Sequence, residues 1–192
     1  METFLTRETL FLSGALLLFV VLAIFFYNGL VQARVRTLEA WADIEVQLKR
    51  RADLVVNLVS AVKGYAAHER RVLDEVVRAR AEVAEALGPV AAGRADQALY
   101  AGLGRLLAIG ESYPNLKATD NFLELQQELA DAEEKIAYAR RFYNQNAQDY
   151  NIRILSMPAL LIARLCRFGP LEYFQAESTD REAVQVSTNL VG

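Results

Sequence analysis

The sequence predicts an all-α protein: an N-terminal transmembrane helix that continues into a long-helix, antiparallel up-and-down bundle of three to four helices. Three observations carry that prediction. An uncharged apolar run opens the chain, and two long stretches downstream repeat apolar residues at alternating spacings of three and four. Only four prolines and ten glycines punctuate 192 residues, so long helices meet few breaks.

The opening run, Leu10 to Leu30, reads LFLSGALLLFVVLAIFFYNGL. As a helix it is about 31 Å long, which matches a hydrocarbon core of about 30 Å. A cleaved signal peptide is the alternative, since Val31-Gln32-Ala33 resembles a cleavage site. The run exceeds a usual signal core, however, and Arg7 stands against Glu2 and Glu8 in the leading segment. A retained single span is therefore expected. Arg7 flanks it on one side, and Arg34, Arg36, Lys49 and Arg50 on the other. This asymmetry places residues 1–9 outside the cell and the rest in the cytoplasm. The implied location is a cell membrane crossed once.

Trp41, Ile44, Leu48, Arg51, Val55, Leu58, Val62, Tyr65, Glu69, Val72, Val76, Ala79 and Val83 form the first seam. Such a stripe needs a covering helix. With no proline before Gly88-Pro89, residues 28–87 are expected to form one helix about 90 Å long. Gly88, Pro89 and Gly93 mark a turn. A shorter helix over 95–110 contains Gly102 and Gly104, and Ser112-Tyr113-Pro114-Asn115 marks a second break.

The second seam follows on a helix over 117–155: Phe122, Leu125, Leu129, Ala132, Ile136, Ala139, Tyr143, Asn146 and Tyr150. Two seams joined by short connections favour an antiparallel bundle over a parallel coiled coil. The first helix outlasts its cover by roughly 30 Å, which points to a homo-oligomer. Met157 to Phe168 is amphipathic, with Leu161, Leu165 and Phe168 on one face and Arg164 and Arg167 on another. It reads as a fourth bundle helix, with a surface-lying membrane helix as the alternative. Residues 177–192 form a polar tail.

Composition narrows the chemistry. A net charge of −3 and a pI near 5.3 oppose nucleic-acid binding. One cysteine and one histidine exclude an intrachain disulfide and the paired Glu-x-x-His motifs of a di-metal bundle. Cys166 lies in an apolar stretch, where a thiol usually packs as a small hydrophobe. Gly102-Leu103-Gly104 does not continue as a phosphate-binding loop. No catalytic, cofactor-binding or metal residue is expected.

What remains is polar groups on the seams. Arg51 and Glu69 are too far apart on one helix to pair, so each needs a partner on another. Glu128, Glu133 and Asp149 are candidates for Arg51; Lys135 and Arg140 are candidates for Glu69. A structural role in fixing helix register is the expected one. Tyr27-Asn28, Tyr143-Asn144 and Tyr150-Asn151 repeat a Tyr-Asn pair, and with Trp41 these read as packing or membrane-interface anchors.

Several stretches together resemble the LemA family of bacterial membrane proteins. They are YNGLVQARVRTLEAWADIEVQLKRRADLVVNLVSAVKGYAAHE at 27–69, AR at 79–80, ESYPNLKATDNFLELQQELADAEEKIAYARRFYNQNAQDYN at 111–151 and FGPLEYFQA at 168–176. The resemblance implies a helical bundle over 31–176 on an N-terminal span of a bacterial inner membrane, with the N-terminus outside. It implies no known enzymatic activity and no cofactor. Some members belong to magnetosome membranes, and others are encoded near a membrane metalloprotease of the heat-shock type. A non-enzymatic scaffold that self-associates or organises partners is the reading this favours. An adaptor of a membrane protease or stress pathway is the alternative.

Overall fold

A computed structural model describes residues 2–66 and 68–174, with side chains from residue 11 onward. The side chains of the leading segment and the polar tail expected over 177–192 lie outside the described residues. All regular structure among them is helical: α1 Glu2–Lys63, α2 Arg70–Glu85, α3 Gly88–Ser112, α4 Pro114–Lys117, α5 Asp120–Leu155 and α6 Ala159–Leu165. The chain divides into two compact units. One takes Met1–Ala42 and Arg141–Glu172, the other Asp43–Arg140 and Tyr173–Gly192.

The second unit packs the later part of α1, α2, α3, the one-turn α4 and the first part of α5. Its core joins Val55, Leu58 and Val62 of α1 with Val76 of α2, Leu99 of α3, Leu116 of α4 and Phe122 of α5. Ile44, Leu48, Arg51, Val55, Leu58 and Val62 are all buried, so the first seam holds to the end of α1. Beyond that point the expectation of one helix over 28–87 fails. The chain leaves the helix at Gly64 and restarts at Arg70. α2 then turns back along α1, and Arg80 Nε donates to the Ala52 carbonyl at 2.9 Å. The covering helix for the first seam is thus partly the chain's own next segment. The expected overhang, and the argument for oligomerisation drawn from it, go with the break.

A tight connection joins α2 to α3. Gly88 takes a φ of 81°, and Pro89 follows in the first turn of α3, where its missing N–H costs nothing. Two glycines on α3 let neighbours approach closely. A Cβ at Gly102 would stand 3.1 Å from Val76 Cγ2, and one at Gly110 would stand 2.6 Å from Phe122 Cε2 and closer still to Cζ. Phe122 is fully buried, so its ring has nowhere to withdraw. Gly110→Ala is therefore expected to lower stability by about 1–2 kcal/mol, because overpacking outweighs the gain in helix propensity. Gly104→Ala, with open space around the new methyl, is expected to raise it by up to about 1 kcal/mol. Thermal unfolding of the two variants checks both signs.

The first unit pairs the early part of α1 with the end of α5. Leu30 and Ala33 share a cluster with Tyr150 and Ile154, and the Trp41 and Tyr143 rings meet edge-on at 5.5 Å. The pairs descend in one helix as they climb in the other, so the two run antiparallel. α6 adds Ala163 to the same cluster. Of the second seam, Asn146 alone is not buried; Ala147 takes its place in the core.

Candidate functional site

The most heavily desolvated charges lie in the second unit. Arg51, on the apolar face of α1, has a side chain only 1% exposed. Its guanidinium donates to Glu133 Oε2 of α5 at 2.7 Å and, through the other amino group, to the Asp96 carboxylate and the Asp96 carbonyl of α3. One cation thereby ties three helices together. Burial pushes the Asp96 carboxyl above its ordinary value; Arg51 opposes that, Glu133 adds to it, and Arg140 opposes it again. Two polar atoms on the same side of α1 are buried without a partner, Arg51 Nε and Gln47 Oε1.

Of the partners considered from the sequence, Glu133 bonds Arg51, and Asp96 stands beside it as a second acceptor. The Arg51 guanidinium bonds these two residues and not Glu128 or Asp149. Glu69 is displaced from the seam altogether: it sits exposed at the start of α2, where the helix break lifts it off the packed face. Neither proposed mate reaches it. Lys135 pairs with Asp131 one turn earlier on α5, at 2.9 Å, and Arg140 acts on Asp96. Asp131 also accepts from Arg50, and Lys135 first, then Arg50, draws its carboxyl below the ordinary range.

In the first unit the tyrosines act as a clamp. After α6 the chain passes beside α5 without regular structure. Tyr150 Oη donates to the Gly169 carbonyl at 2.9 Å, Tyr143 Oη to the Glu172 carbonyl at 2.7 Å, and Asn151 closes a two-way bond with Leu171. Tyr143, Tyr150 and Asn151 thus hold a strap against α5. Tyr27 is part exposed and meets the Phe168 ring at 5.8 Å, while Asn28 is exposed.

Burial raises the Tyr143 hydroxyl to about 12, and raises Tyr150 as well. An unfolded tyrosine ionises near pH 10, whereas the folded Tyr143 keeps its proton up to about 12. The folded state therefore holds more protons in that window, and stability falls as pH rises from 10 to 12. Tyr143→Phe is expected to cost about 1 kcal/mol at pH 8, through the lost bond to Glu172, and to unfold less steeply in alkali. Denaturation midpoints measured across that pH range check both.

Catalytic groups are not assembled at either place. His68 lies exposed in the α1–α2 connection, and Cys166 is exposed after α6 rather than packed as a hydrophobe. Among the described residues no group of three or more His, Cys, Asp and Glu side chains is placed to hold a metal ion.

The profile of the LemA family matches residues 40–187. The chain is 30% identical over 175 residues to Magnetosome protein MamQ 2 of Paramagnetospirillum magneticum, covering 78% of this chain and 64% of that protein. It is 28% identical over 186 residues to Magnetosome protein MamQ of Magnetospirillum gryphiswaldense, covering 83% and 68%. Protein LemA of Metamycoplasma hominis matches at 24% identity over 164 residues, covering 83% and 74%.

Proposed function

The chain belongs to the LemA family, and from that premise we propose that it is a single-pass, membrane-anchored scaffold without catalytic chemistry. In this reading α1 crosses a bacterial inner membrane with its N-terminus outside, and the helical domain stands in the cytoplasm, where it self-associates or organises protein partners.

The observation that carries the reading is the composition of α1 along its length. Its most apolar 18-residue window has a mean hydropathy of 2.4, yet only 6% of it is buried. A core helix of a soluble protein would hide such a stretch; an exposed one of this length belongs in hydrocarbon. The same helix then changes character and supplies a buried seam from Ala40 to Val62. The Arg34, Arg36, Lys49 and Arg50 excess after the apolar window supports the orientation. The magnetosome names of two relatives support a membrane setting without defining which one.

Self-association draws on apolar residues left outside the core. Val35 and Leu38, less than one turn apart on α1, and Phe142 on α5 are 45%, 50% and 46% exposed. Crosslinking in cells, mild extraction and native mass spectrometry test the reading. A ladder of the chain's own mass, or a stoichiometric protein partner, is the expected result. A monomer with no partner would contradict the scaffold role.

A further inference from the structure

Within the first unit, α6 buries one face and leaves the other bare. Ala163 is buried, and Ala159 and Ile162 partly so, against Leu30, Ala33, Tyr150 and Ile154. Leu161 and Leu165, one turn apart on the outward face, are 58% and 80% exposed. Leu155 and Met157 extend that bare surface through the connection before α6, at 71% and 69%. The sequence set a fourth bundle helix against a membrane-surface helix as alternatives. The burial pattern gives α6 one face for each.

The position of this surface identifies its occupant. Phe25, Phe26 and Gly29, near the end of the apolar run, line one open groove of about 600 Å3 with Arg153, Met157 and Ala159. Tyr27, at the same level, stacks edge-on against Phe168. The bare leucines therefore continue the apolar surface of the proposed span at its cytoplasmic boundary. Charge agrees. Residues 152–168 carry Arg153, Arg164 and Arg167, all exposed, and no acidic residue. Arg34 and Arg36 stand exposed on α1 just past the apolar run.

We propose that α6 and the turn before it lie in the interface of the membrane that α1 crosses. Leu155, Met157, Leu161 and Leu165 enter the acyl boundary, and the arginines face the phosphates of an anionic leaflet. This rests on the anchoring reading above and adds to it a second, in-plane attachment for the first unit. An amphipathic segment with a basic flank and a leucine face has the chemistry of such a contact.

The test uses the full chain in bilayers of phosphatidylglycerol and phosphatidylcholine, with spin labels read by accessibility to oxygen and to a water-soluble nickel complex. Three sites are labelled in a Cys166→Ser background: Leu165→Cys on α6, Ala23→Cys in the span and His68→Cys in an exposed loop. The expected result is a Leu165 label about 5–10 Å below the phosphates, oxygen-accessible and shielded from nickel. Its depth lessens in phosphatidylcholine alone. A Leu165 label as open to nickel as that at His68, with Ala23 still buried in lipid, would overturn the proposal and leave the anchor standing. Nickel access at Ala23 as well would overturn both. Shielding of Leu165 from oxygen and nickel alike would show that protein covers the face, a second copy or another partner, and would also overturn it.

Discussion

Arg51→Met is expected to cost about 3–5 kcal/mol, because it strands a buried carboxylate. Asp96 is 8% exposed and already resists ionisation through burial, with Arg51 the foremost influence favouring its charge. Without the guanidinium, Asp96 must either stay charged in an apolar setting or take up a proton on folding. The second route makes the loss pH-dependent. A folded-state pKa above the ordinary value means the fold binds more protons than the unfolded chain, so the penalty grows as pH rises through the window and shrinks on acidification. Glu133, with 39% of its side chain exposed, can turn to water. The double variant Arg51→Met/Asp96→Leu is accordingly expected to regain most of the stability, since well-packed apolar residues replace buried ion pairs at little cost. Full recovery would mark the cluster as a register device. A double variant as unstable as the single one would show that the three-helix junction needs its hydrogen bonds. Thermal unfolding of the intact chain in mild detergent, followed by circular dichroism at several pH values, reads both.

Leu18→Arg/Leu22→Arg is expected to abolish stable membrane insertion. Both leucines lie near the middle of the apolar run, one turn apart, and both are exposed to whatever surrounds α1. Each arginine at the centre of a span adds roughly 2.5–3.5 kcal/mol to the insertion free energy, so the pair adds about 5–7 kcal/mol. Alkaline carbonate extraction of cell membranes distinguishes the outcomes. The parent chain is expected in the pellet and the double variant in the supernatant or degraded. Equal retention of both would mean that the run is not the anchor. Leu18→Ala/Leu22→Ala, still apolar, is expected to remain in the pellet.

Most of the architecture was legible because each seam is a local pattern with a global consequence. Leu48, Arg51, Val55, Leu58 and Val62 recur at helical spacing and are all buried, as are Leu125, Leu129, Ala132 and Ile136. The end of α1 was not legible. Gly64 is the only breaker in Gly64-Tyr65-Ala66-Ala67-His68-Glu69, and Val72, Val76 and Ala79 resume the three-four spacing beyond it. A periodicity cannot tell a continuing helix from one that has reversed and begun again, since both offer an apolar stripe at the same interval. Glu69 was misplaced for that reason. Its polarity in a seam position was the sign of the break, read instead as a buried charge.

Asp96 was missed by a different route. Ala92, Ala95, Asp96, Leu99, Leu103 and Leu106 lie on a buried stripe of α3, but small alanines and the interspersed Gly102 and Gly104 make that stripe faint in the sequence. Gly102, with Gly110 further along, is where α2 and α5 press close, so two of the residues that lower helix propensity in α3 are those that permit the packing, whereas Gly104 faces open space. Tyr143, Tyr150 and Asn151 read from the sequence as anchors. Their carbonyl partners on the strap at 169–172 could not be, because backbone acceptors leave no trace in side-chain identity.

The claim on which the rest depends is that a single α1 serves as membrane anchor in its first half and as bundle helix in its second, with the bundle inside the cell. His68→Cys in a Cys166→Ser background places one thiol in the exposed connection after α1, within the bundle unit. Treating spheroplasts with a membrane-impermeant maleimide, before and after lysis, tests the claim directly. Labelling only after lysis is the predicted result; equal labelling of intact spheroplasts would put the bundle on the outer side and contradict it.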